Sequence, residues 1–468
     1  MRPVPLAALT LFAWPLFAQA PLIEKIEVSV VNVDVTVTDR QGNPVRGLTR
    51  DDFEIFEDGL LQPITNFYVV DSQGQAGLPV LHDDRFRRKV LLIIDRHSMT
   101  PYERDRALAH VEEFINDRFR GGEYDWSIAA VDTTLRMLLP PTSDKHAIHE
   151  ALNEIRHGRM PASLVNNVPR TEAQLWEAAV AGQSTIDAIA EATRAFGAAN
   201  GKKIVLLLAG HLLPNDWHIA DLQLAKLIAE TRNELIEEAN ASNVNLYIMN
   251  PEGIAAGDPS MYWLARETGG RLLPGNGIAE SLRQFDSRSS NFYSLGYRPN
   301  HSDDGAYHRI AVRAKKGHFA LQYRDGYSSL PEERQIERTL GSSFGTFMMS
   351  GSSIPVTVAF DQRRDLGDAV IMSMKTSVPT DKLTFIPSAD GSSSRVDIFV
   401  SVFDSTGRNV WSVRLTRDAS LAKNDAPAGT FNENTEVYLL KGKPYRVVVA
   451  VRDQVSEAVG VTQQVVKF

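Results

Sequence analysis

Hydrophobic and polar residues alternate in the first strand-like part of the chain. Every second residue from 31 to 37 is a valine, and a glycine-containing turn sequence follows. Alternation that runs into such a turn predicts a β-strand and a tight connection. The turn signal Asp58-Gly59 separates two further strand candidates, at 53–57 and 64–70. We therefore expect an N-terminal β segment over residues 24–72.

The hydrophobic period changes between residues 86 and 290. Continuous apolar runs alternate there with segments whose apolar residues recur every three or four positions, the spacing of a helix. An uninterrupted apolar run is typical of a strand buried on both faces of a parallel sheet. The runs are residues 90–95, 126–131, 204–209 and 244–249. Because right-handed crossovers between parallel strands leave few other arrangements, we predict an α/β domain with a doubly wound, mostly parallel sheet.

Alternation returns after residue 290. Residues 291–327 contain three strand-like stretches, which we expect to return to the N-terminal β segment and pair with it, so that the α/β domain is inserted into one β-sandwich. Residues 328–353 are rich in serine and glycine and predict a linker. From 354 to 468, about seven short strands without a helical pattern indicate a separate C-terminal all-β sandwich.

Composition narrows the functional classes. The 468 residues suffice for several domains, and 43% hydrophobic with 23% charged residues excludes a polytopic membrane protein and a mostly disordered chain. The net charge of -8 argues against a nucleic-acid partner, since such domains are usually strongly basic. The lack of cysteine excludes disulfides, thiolate nucleophiles and cysteine-ligated zinc. A basic cluster at 85–89 is interpreted as a solubilising flank of the following strand.

The first residues predict export. Arg2 is followed by a mostly apolar run from Leu6 to Phe17, and Ala18-Gln19-Ala20 has the small-x-small form that signal peptidase accepts. We interpret residues 1–20 as a cleaved signal peptide, because the apolar run is shorter than the roughly 20 residues of a membrane anchor. The mature chain is then expected to be secreted or periplasmic and to lack a transmembrane segment.

Candidate binding residues follow the apolar strands. Ligands of an open α/β sheet bind at the carboxyl ends of its strands. Two of these ends carry side chains suited to recognition, Asp95-Arg96-His97-Ser98-Met99 and the segment from Gly210-His211 to Trp217. Between these last residues, Leu212 and Leu213 either pack over the sheet end or form the apolar centre of a partner surface.

Several motifs resemble the bacterial von Willebrand factor type A related proteins. The resemblance covers about residues 26–327 and begins with a leader-like segment at 47–59. Within the α/β domain and after it, the matching motifs are Val90–Asp95, Gly201-Lys202-Lys203, Leu264–Arg271, Asn291–Tyr297 and Arg324–Tyr327. The resemblance implies a von Willebrand factor A-like fold and a non-enzymatic role in protein binding or adhesion.

The same resemblance implies a metal-ion-dependent adhesion site for Mg²⁺, built from D-x-S-x-S, a loop threonine and an aspartate after the fourth strand. Here only Asp95 stands in register, Ser98 aligns only with a one-residue deletion, and Gly210 and His211 follow the fourth strand where the aspartate is expected. Asp95 and Ser98 are thus the candidate ligands of a degenerate site. Mg²⁺ there is possible, and no other cofactor is expected. In the alternative, Asp95 accepts hydrogen bonds from loop amides.

The sequence therefore favours a secreted, non-enzymatic protein that binds another protein or a cell-envelope component. Its expected partner-binding face consists of Asp95, His97, Ser98, Met99, His211 and Trp217. An exported α/β hydrolase using Asp95, His97 or His211 is the alternative. No catalytic residue is assigned, because no nucleophile stands beside a base at a motif spacing, and the G-x-S-x-G sequence at 341–345 lies in the predicted linker.

Overall fold

The computed structural model describes most of the chain after the predicted signal peptide. The described residues are 30–71, 88–118, 124–131, 135–158, 171–197, 201–214, 219–251, 259–301, 303–342, 354–388, 391–405, 407–422 and 425–467. They form a mixed α/β protein in which most helices lie between residues 101 and 289. The predicted signal peptide lies outside these ranges.

Four strands precede the α/β domain. They are β1 (Val31–Thr38), β2 (Phe53–Glu57), β3 (Leu60–Gln62) and β4 (Ile64–Asp71). All four alternate valines of β1 are buried, which explains the period-two pattern of its sequence. Asp58 and Gly59 both have positive φ in the tight turn between β2 and β3.

The α/β domain alternates strands with helices. Its strands are β5 (Arg88–Asp95), β6 (Tyr124–Val131), β7 (Leu135–Thr142), β8 (Lys202–Leu208), β9 (Val244–Asn250) and β10 (Leu272–Pro274). Its helices are α1 (Pro101–Arg118), α2 (Lys145–His157), α3 (Glu172–Phe196), α4 (Leu222–Ala241), α5 (Pro259–Glu267) and α6 (Ile278–Ser289). The strand order is β10-β9-β8-β5-β6-β7, and all pairs are parallel except β6 with β7.

Apolar residues of the central strand β5 enter two separate cores. Leu91 and Ile93 pack with residues of α3, α4 and α5, whereas Val90, Leu92 and Ile94 pack with residues of α1, α2 and α6. Because each face of the sheet is covered by three helices, β5 has no solvent-exposed face, and its sequence is continuously apolar rather than alternating.

The basic cluster before β5 has a role that the sequence analysis misjudged. Arg88 is 1% exposed, and its guanidinium lies 3.1 Å from the Oδ1 atom of Asp286. Lys89 forms a second ion pair, with Asp125, at 2.5 Å. The interpretation as a solubilising flank is therefore wrong for these two residues, which anchor the amino end of the sheet. The rest of the cluster lies outside the described residues.

The chain then returns to the first four strands. The returning strands are β11 (Asn291–Tyr297), β12 (Tyr307–Ala314), β13 (Ala320–Gln322) and β14 (Gly326–Ser328). The first of them lies between β1 and β4 and is antiparallel to both, while β12 pairs with β2 and β14. Valines of β1 share one core with Phe53, Ile55, Tyr297 and Ile310. Segments on either side of the α/β domain thus build one two-sheet unit, which we call the split β unit (residues 30–71 and 291–328).

A helix, α7 (Glu332–Gly341), occupies part of the segment 328–353 that the sequence analysis assigned to a linker. Ile336 and Leu340 of this helix are buried against Phe399 and Phe403 of the C-terminal domain. The expectation of a linker is therefore wrong for residues 332–341. Serine and glycine content did not reveal the helix because its apolar side chains are stabilised by contacts distant in sequence.

The C-terminal domain is built of strands in its described residues. They are β15 (Thr357–Leu366), β16 (Ala369–Pro379), β17 (Ile386–Ser388), β18 (Gly391–Phe403), β19 (Asn409–Ala422), β20 (Thr430–Leu440), β21 (Pro444–Asp453) and β22 (Val459–Lys467). One antiparallel sheet has the order β15-β16-β20, and a second contains β17, β18, β21 and β22, with β19 paired to β18. Apolar residues of both sheets share one core. Within the described part of the chain, no helix has the length and apolar character needed to span a membrane.

Candidate functional site

The carboxyl edge of the parallel sheet begins at the last residue of β5. Asp95 ends the strand, and residues 96–100 lead into α1. Thr100 and Glu103 form a reciprocal cap of this helix, since the Glu103 carboxylate accepts hydrogen bonds from the Thr100 amide and hydroxyl at 2.8 and 2.7 Å. The loop after β5 is therefore fixed at both ends.

Asp95 is buried at this edge, with 2% of its surface exposed. Its Oδ1 atom accepts a hydrogen bond from the backbone amide of His97 at 2.9 Å. Burial raises the pKa of Asp95, and hydrogen bonds from the His97 amide and the Ser98 side chain only partly offset this effect. The carboxylate thus organises its own loop, which is the alternative that the sequence analysis left open.

A hydrogen-bonded network joins three strand ends. The amide of Gly210, after β8, donates to the Ser98 hydroxyl at 2.9 Å, and the Asn250 side chain, at the end of β9, donates to the Gly210 carbonyl at 3.0 Å. Asn250 is 1% exposed and was not among the predicted site residues. The only signal for its role in the sequence is its position directly after the apolar run 244–249, at the end of a predicted parallel strand.

The expected partner-binding face is only partly exposed. Met99 is a correction, because its side chain is fully buried in the core beside α1 and is not available to a partner. Asp95 and Ser98 are also buried, His97 is half-buried, and His211 is exposed. Trp217 lies outside the described residues.

Leu212 and Leu213 were left open between packing and recognition. Each is 3% exposed and belongs to the core that also contains α3 and α4. They therefore pack over the end of the sheet and are not the apolar centre of a partner surface.

The described donors at this edge do not by themselves fit Mg²⁺. The ion favours octahedral oxygen coordination, usually with one or two carboxylates and several waters. Asp95 supplies one carboxylate, but its Oδ1 atom is bonded to the His97 amide and its environment excludes most solvent. The Ser98 oxygen accepts from the Gly210 amide, and Gly210 itself has no side chain to offer. The described part of the edge is therefore better matched to an internal hydrogen-bonded loop.

Large apolar side chains are exposed where helices begin at the same edge. A helix that follows a parallel strand runs back along it, so its first turn lies at the carboxyl edge. Leu222 at the start of α4 is 82% exposed and Tyr102 at the start of α1 is 74% exposed, the two highest values among large apolar residues in the described chain. Tyr262, in the first turn of α5, is 50% exposed. The sequence analysis did not identify these residues. Their positions outside the apolar stripe of each helix could have indicated that they are exposed.

No protein-family model and no curated protein matches the chain. Among solved structures, it is similar to a von Willebrand factor type A protein from Catenulispora acidiphila, with 11% identity, coverage of 86% of this chain and 73% of that chain, and a TM-score of 0.24. BatB from Bacteroides thetaiotaomicron is 11% identical, with 43% of this chain and 98% of that chain covered and a TM-score of 0.27. The PilB minor pilin from Streptococcus sanguinis is 8% identical, with 44% and 62% covered and a TM-score of 0.30. Similarities with TM-scores below 0.5 carry no functional argument, so function has to be inferred from the chain's own geometry.

Proposed function

We propose that this chain is an exported, non-enzymatic recognition protein whose α/β domain binds a protein partner, in the cell envelope or outside the cell, through the carboxyl edge of its parallel sheet. The observation that carries the proposal is the exposure of Leu222 and Tyr102 at this edge, at the starts of helices that cover opposite faces of the sheet. Exposed large apolar side chains mark candidate protein interfaces, where aromatic anchors such as tyrosine contribute much of the binding energy. The half-buried His97 and the exposed His211 would supply the polar rim.

Binding at this edge is proposed to be independent of Mg²⁺. In a metal-dependent adhesion site the ion presents an open coordination position to a carboxylate of the partner. Here the Asp95 and Ser98 side chains are engaged in the loop itself, and burial raises the pKa of Asp95, which favours its neutral form. Apolar contacts at Tyr102 and Leu222 would then replace the metal as the main source of affinity.

A differential cross-linking experiment tests the proposal. The purified mature chain is incubated with envelope and secreted proteins of its source, with and without chelator, and cross-linked species are identified by mass spectrometry. A Tyr102→Ala/Leu222→Ala double variant should lose the partner that the wild-type chain captures, and chelator should leave capture unchanged. The matched control is Leu366→Ala, which truncates a residue 52% exposed on the C-terminal domain. Capture that survives the double variant, or that chelator abolishes, contradicts the proposal.

The hydrolase alternative rests on the charges around Asp95. The imidazoles of His97 and His211 are close enough to Asp95 to favour its ionised form. The loop hydroxyl that is hydrogen-bonded to Asp95 belongs to Ser98, which is 4% exposed and also bonded to the Gly210 amide. Assay of the purified chain with ester, phosphate and peptide substrates separates the two functions, since turnover that His97→Ala abolishes would favour the hydrolase.

A further inference from the structure

Two histidines and a glutamate lie close together in the split β unit, outside the α/β domain that contains the candidate site. Glu57 ends β2, His308 lies near the start of β12, and His301 lies in the connection between β11 and β12. One potential ligand atom from each of the three residues lies within 4.8 Å of those from the other two. The antiparallel register that pairs Glu57 with Ile310 brings these distant segments together.

The separations suit ligands that share one ion. The Nε2 atom of His301 is 3.5 Å from the Oε1 atom of Glu57, and the Nε2 atom of His308 is 3.2 Å from the Oδ1 atom of Asp304. Ligand atoms about 2.0–2.1 Å from a tetrahedral zinc ion are themselves roughly 3.4 Å apart. Asp304 therefore offers a carboxylate oxygen beside His308, next to the group formed by Glu57, His301 and His308.

The surrounding hydrogen bonds orient these side chains as the outer shell of a metal site does. Asp58 accepts from the Nδ1 atom of His308 at 2.8 Å, an arrangement in which a carboxylate fixes the imidazole and directs its other nitrogen toward a metal. Asp58 is itself held by the backbone amide of Arg309 at 2.8 Å. The hydroxyls of Tyr297 and Tyr327 donate to Glu57 at 2.8 and 2.7 Å. Glu57 and His308 are therefore each held by two side-chain partners, and the Nε2 atom of His301 lies 3.3 Å from the Tyr327 hydroxyl.

The charges in this cluster also favour a cation. Three carboxylates, those of Glu57, Asp58 and Asp304, surround two imidazoles within one small volume. Glu57 is 4% exposed, so its charge is poorly screened by water. A bound divalent cation would balance this negative charge.

We propose that Glu57, His301 and His308, with Asp304 as a fourth ligand, form a binding site for a divalent transition metal of the zinc class. Imidazole and carboxylate ligands together select zinc and its neighbours over Mg²⁺ and Ca²⁺, which prefer oxygen alone. The site ties the turn after β2 to the connection before β12, and its metal is a structural clip of the split β unit. It is independent of the proposed recognition edge.

Binding requires one local movement. The rings of His301 and His308 are stacked, with centroids 3.9 Å apart and planes 15° from parallel, so their nitrogens do not point at one common position. The His301 side chain is 24% exposed, against 9% for His308, and lies in a connection rather than a strand. His301 is therefore the ring that turns toward the ion, and its exposure gives the ion a path from solvent.

Metal titration of the purified chain tests the site. After removal of metals with a chelator, the full chain is titrated with Zn²⁺ by calorimetry and with Co²⁺ by visible absorption, which reports a tetrahedral environment. We expect one equivalent of either metal to bind, no comparable binding of Mg²⁺, and a rise in the unfolding temperature with Zn²⁺. Absence of saturable Zn²⁺ binding by the wild-type chain overturns the proposal.

Three variants assign the binding to these residues. His301→Ala and Glu57→Gln should each lower the Zn²⁺ affinity at least tenfold, and Asp58→Asn should lower it by about 10- to 100-fold because it removes an outer-shell partner. His318→Ala, an exposed histidine of the same unit, is the matched control and should bind as the wild type does. Circular dichroism shows whether each variant folds. Because His301 lies outside the strands, His301→Ala should fold and still test the site if Glu57→Gln does not fold. Unchanged affinity in His301→Ala overturns the proposal.

Discussion

Gly182, in the middle of α3, lies directly against the backbone carbonyl of Leu212. A Cβ atom at residue 182 would be 2.3 Å from that oxygen and 3.0 Å from a methyl group of Leu213. The segment after β8 can therefore cross α3 only because residue 182 has no side chain. Since this segment includes Gly210, which bonds to Ser98, the packing of a glycine in one helix positions a loop of the candidate recognition edge.

Replacement of Gly182 by alanine should destabilise the chain. Alanine favours a helix by about 1 kcal/mol over glycine, but the new methyl group meets a backbone atom that cannot move without displacing the loop. Overpacking of this kind costs about 1–3 kcal/mol or more. We expect a net loss in the free energy of unfolding, measured by urea denaturation, together with weaker partner capture.

The control for this prediction is Gly341→Ala in α7, where a Cβ atom would meet no neighbour within 4 Å. That variant should be neutral or slightly more stable. If Gly182→Ala proves as stable as Gly341→Ala, the close approach to Leu212 does not constrain the loop.

Much of the architecture could be predicted from hydrophobic periodicity. Residues 90–94 are a continuous apolar run, and all five are fully buried between two helical layers. Alternating valines at 31–37 line the core of the split β unit. Helix α7 could not be predicted in this way, because Ile336 and Leu340 pack on Phe399 of another domain rather than on a local apolar stripe.

Less of the candidate site than of the fold could be predicted from the sequence. A carboxylate after the first apolar strand located the sheet edge at Asp95, since parallel strands end together. Sequence spacing did not distinguish Met99, which turns into the core, from Tyr102, which faces solvent three residues later. The cluster of Glu57, His301 and His308 depends on strand register between segments far apart in the chain, which composition and motifs do not specify.

Removal of the Asp286 carboxylate should be strongly destabilising. Arg88 is almost fully buried, and Asp286 is the carboxylate that faces its guanidinium at 3.1 Å. Loss of one member of a buried ion pair leaves an uncompensated charge and costs about 3–5 kcal/mol. Asp286→Ala should therefore lower the free energy of unfolding by an amount near the lower end of that range, because the Asp286 side chain itself is 20% exposed.

Glu280→Gln provides the comparison on the same helix. Glu280 and Arg283 form an exposed pair, with side chains 58% and 51% exposed, which should contribute less than about 1 kcal/mol. If Asp286→Ala and Glu280→Gln lower the free energy of unfolding by equal amounts, the burial of Arg88 does not determine the loss of stability.

Helix α7 should couple the unfolding of the α/β domain to that of the C-terminal domain. Glu238 of α4 accepts hydrogen bonds from Arg194 at 2.9 Å and from Arg338 of α7 at 2.7 Å. Leu340, on the same helix, is buried in the apolar cluster of the C-terminal domain. We expect Arg338→Ala to separate one calorimetric transition into two, or to widen it measurably.

Arg334→Ala is the matched control for this coupling, since Arg334 pairs with Glu337 within α7 itself and is 66% exposed. It should leave the shape of the calorimetric transition unchanged. Two independent transitions already present in the wild-type chain would contradict the coupling.

The contact between Asp325 and Glu267 predicts a pH dependence of stability. Burial, followed by the hydrogen bond and the charge of Glu267, raises the pKa of Asp325 to about 7. An unfolded aspartate titrates near pH 3.9, so between about pH 4 and pH 7 the folded chain holds a proton that the unfolded chain has released. The stability that this proton provides is present at low pH and is lost as the pH rises through 7.

Asp325→Asn removes this titration while keeping a donor for the Glu267 carboxylate. We expect the variant to exceed the wild type in stability by on the order of 1 kcal/mol at pH 8, after allowance for partial solvent screening, and to lose that advantage at pH 5. Urea unfolding from pH 5 to pH 8 measures the difference. Asp51→Asn, at a side chain 90% exposed, is the control and should show no such trend. A stability difference between Asp325→Asn and wild type that stays constant across this range would show that the two carboxyl groups do not share a proton.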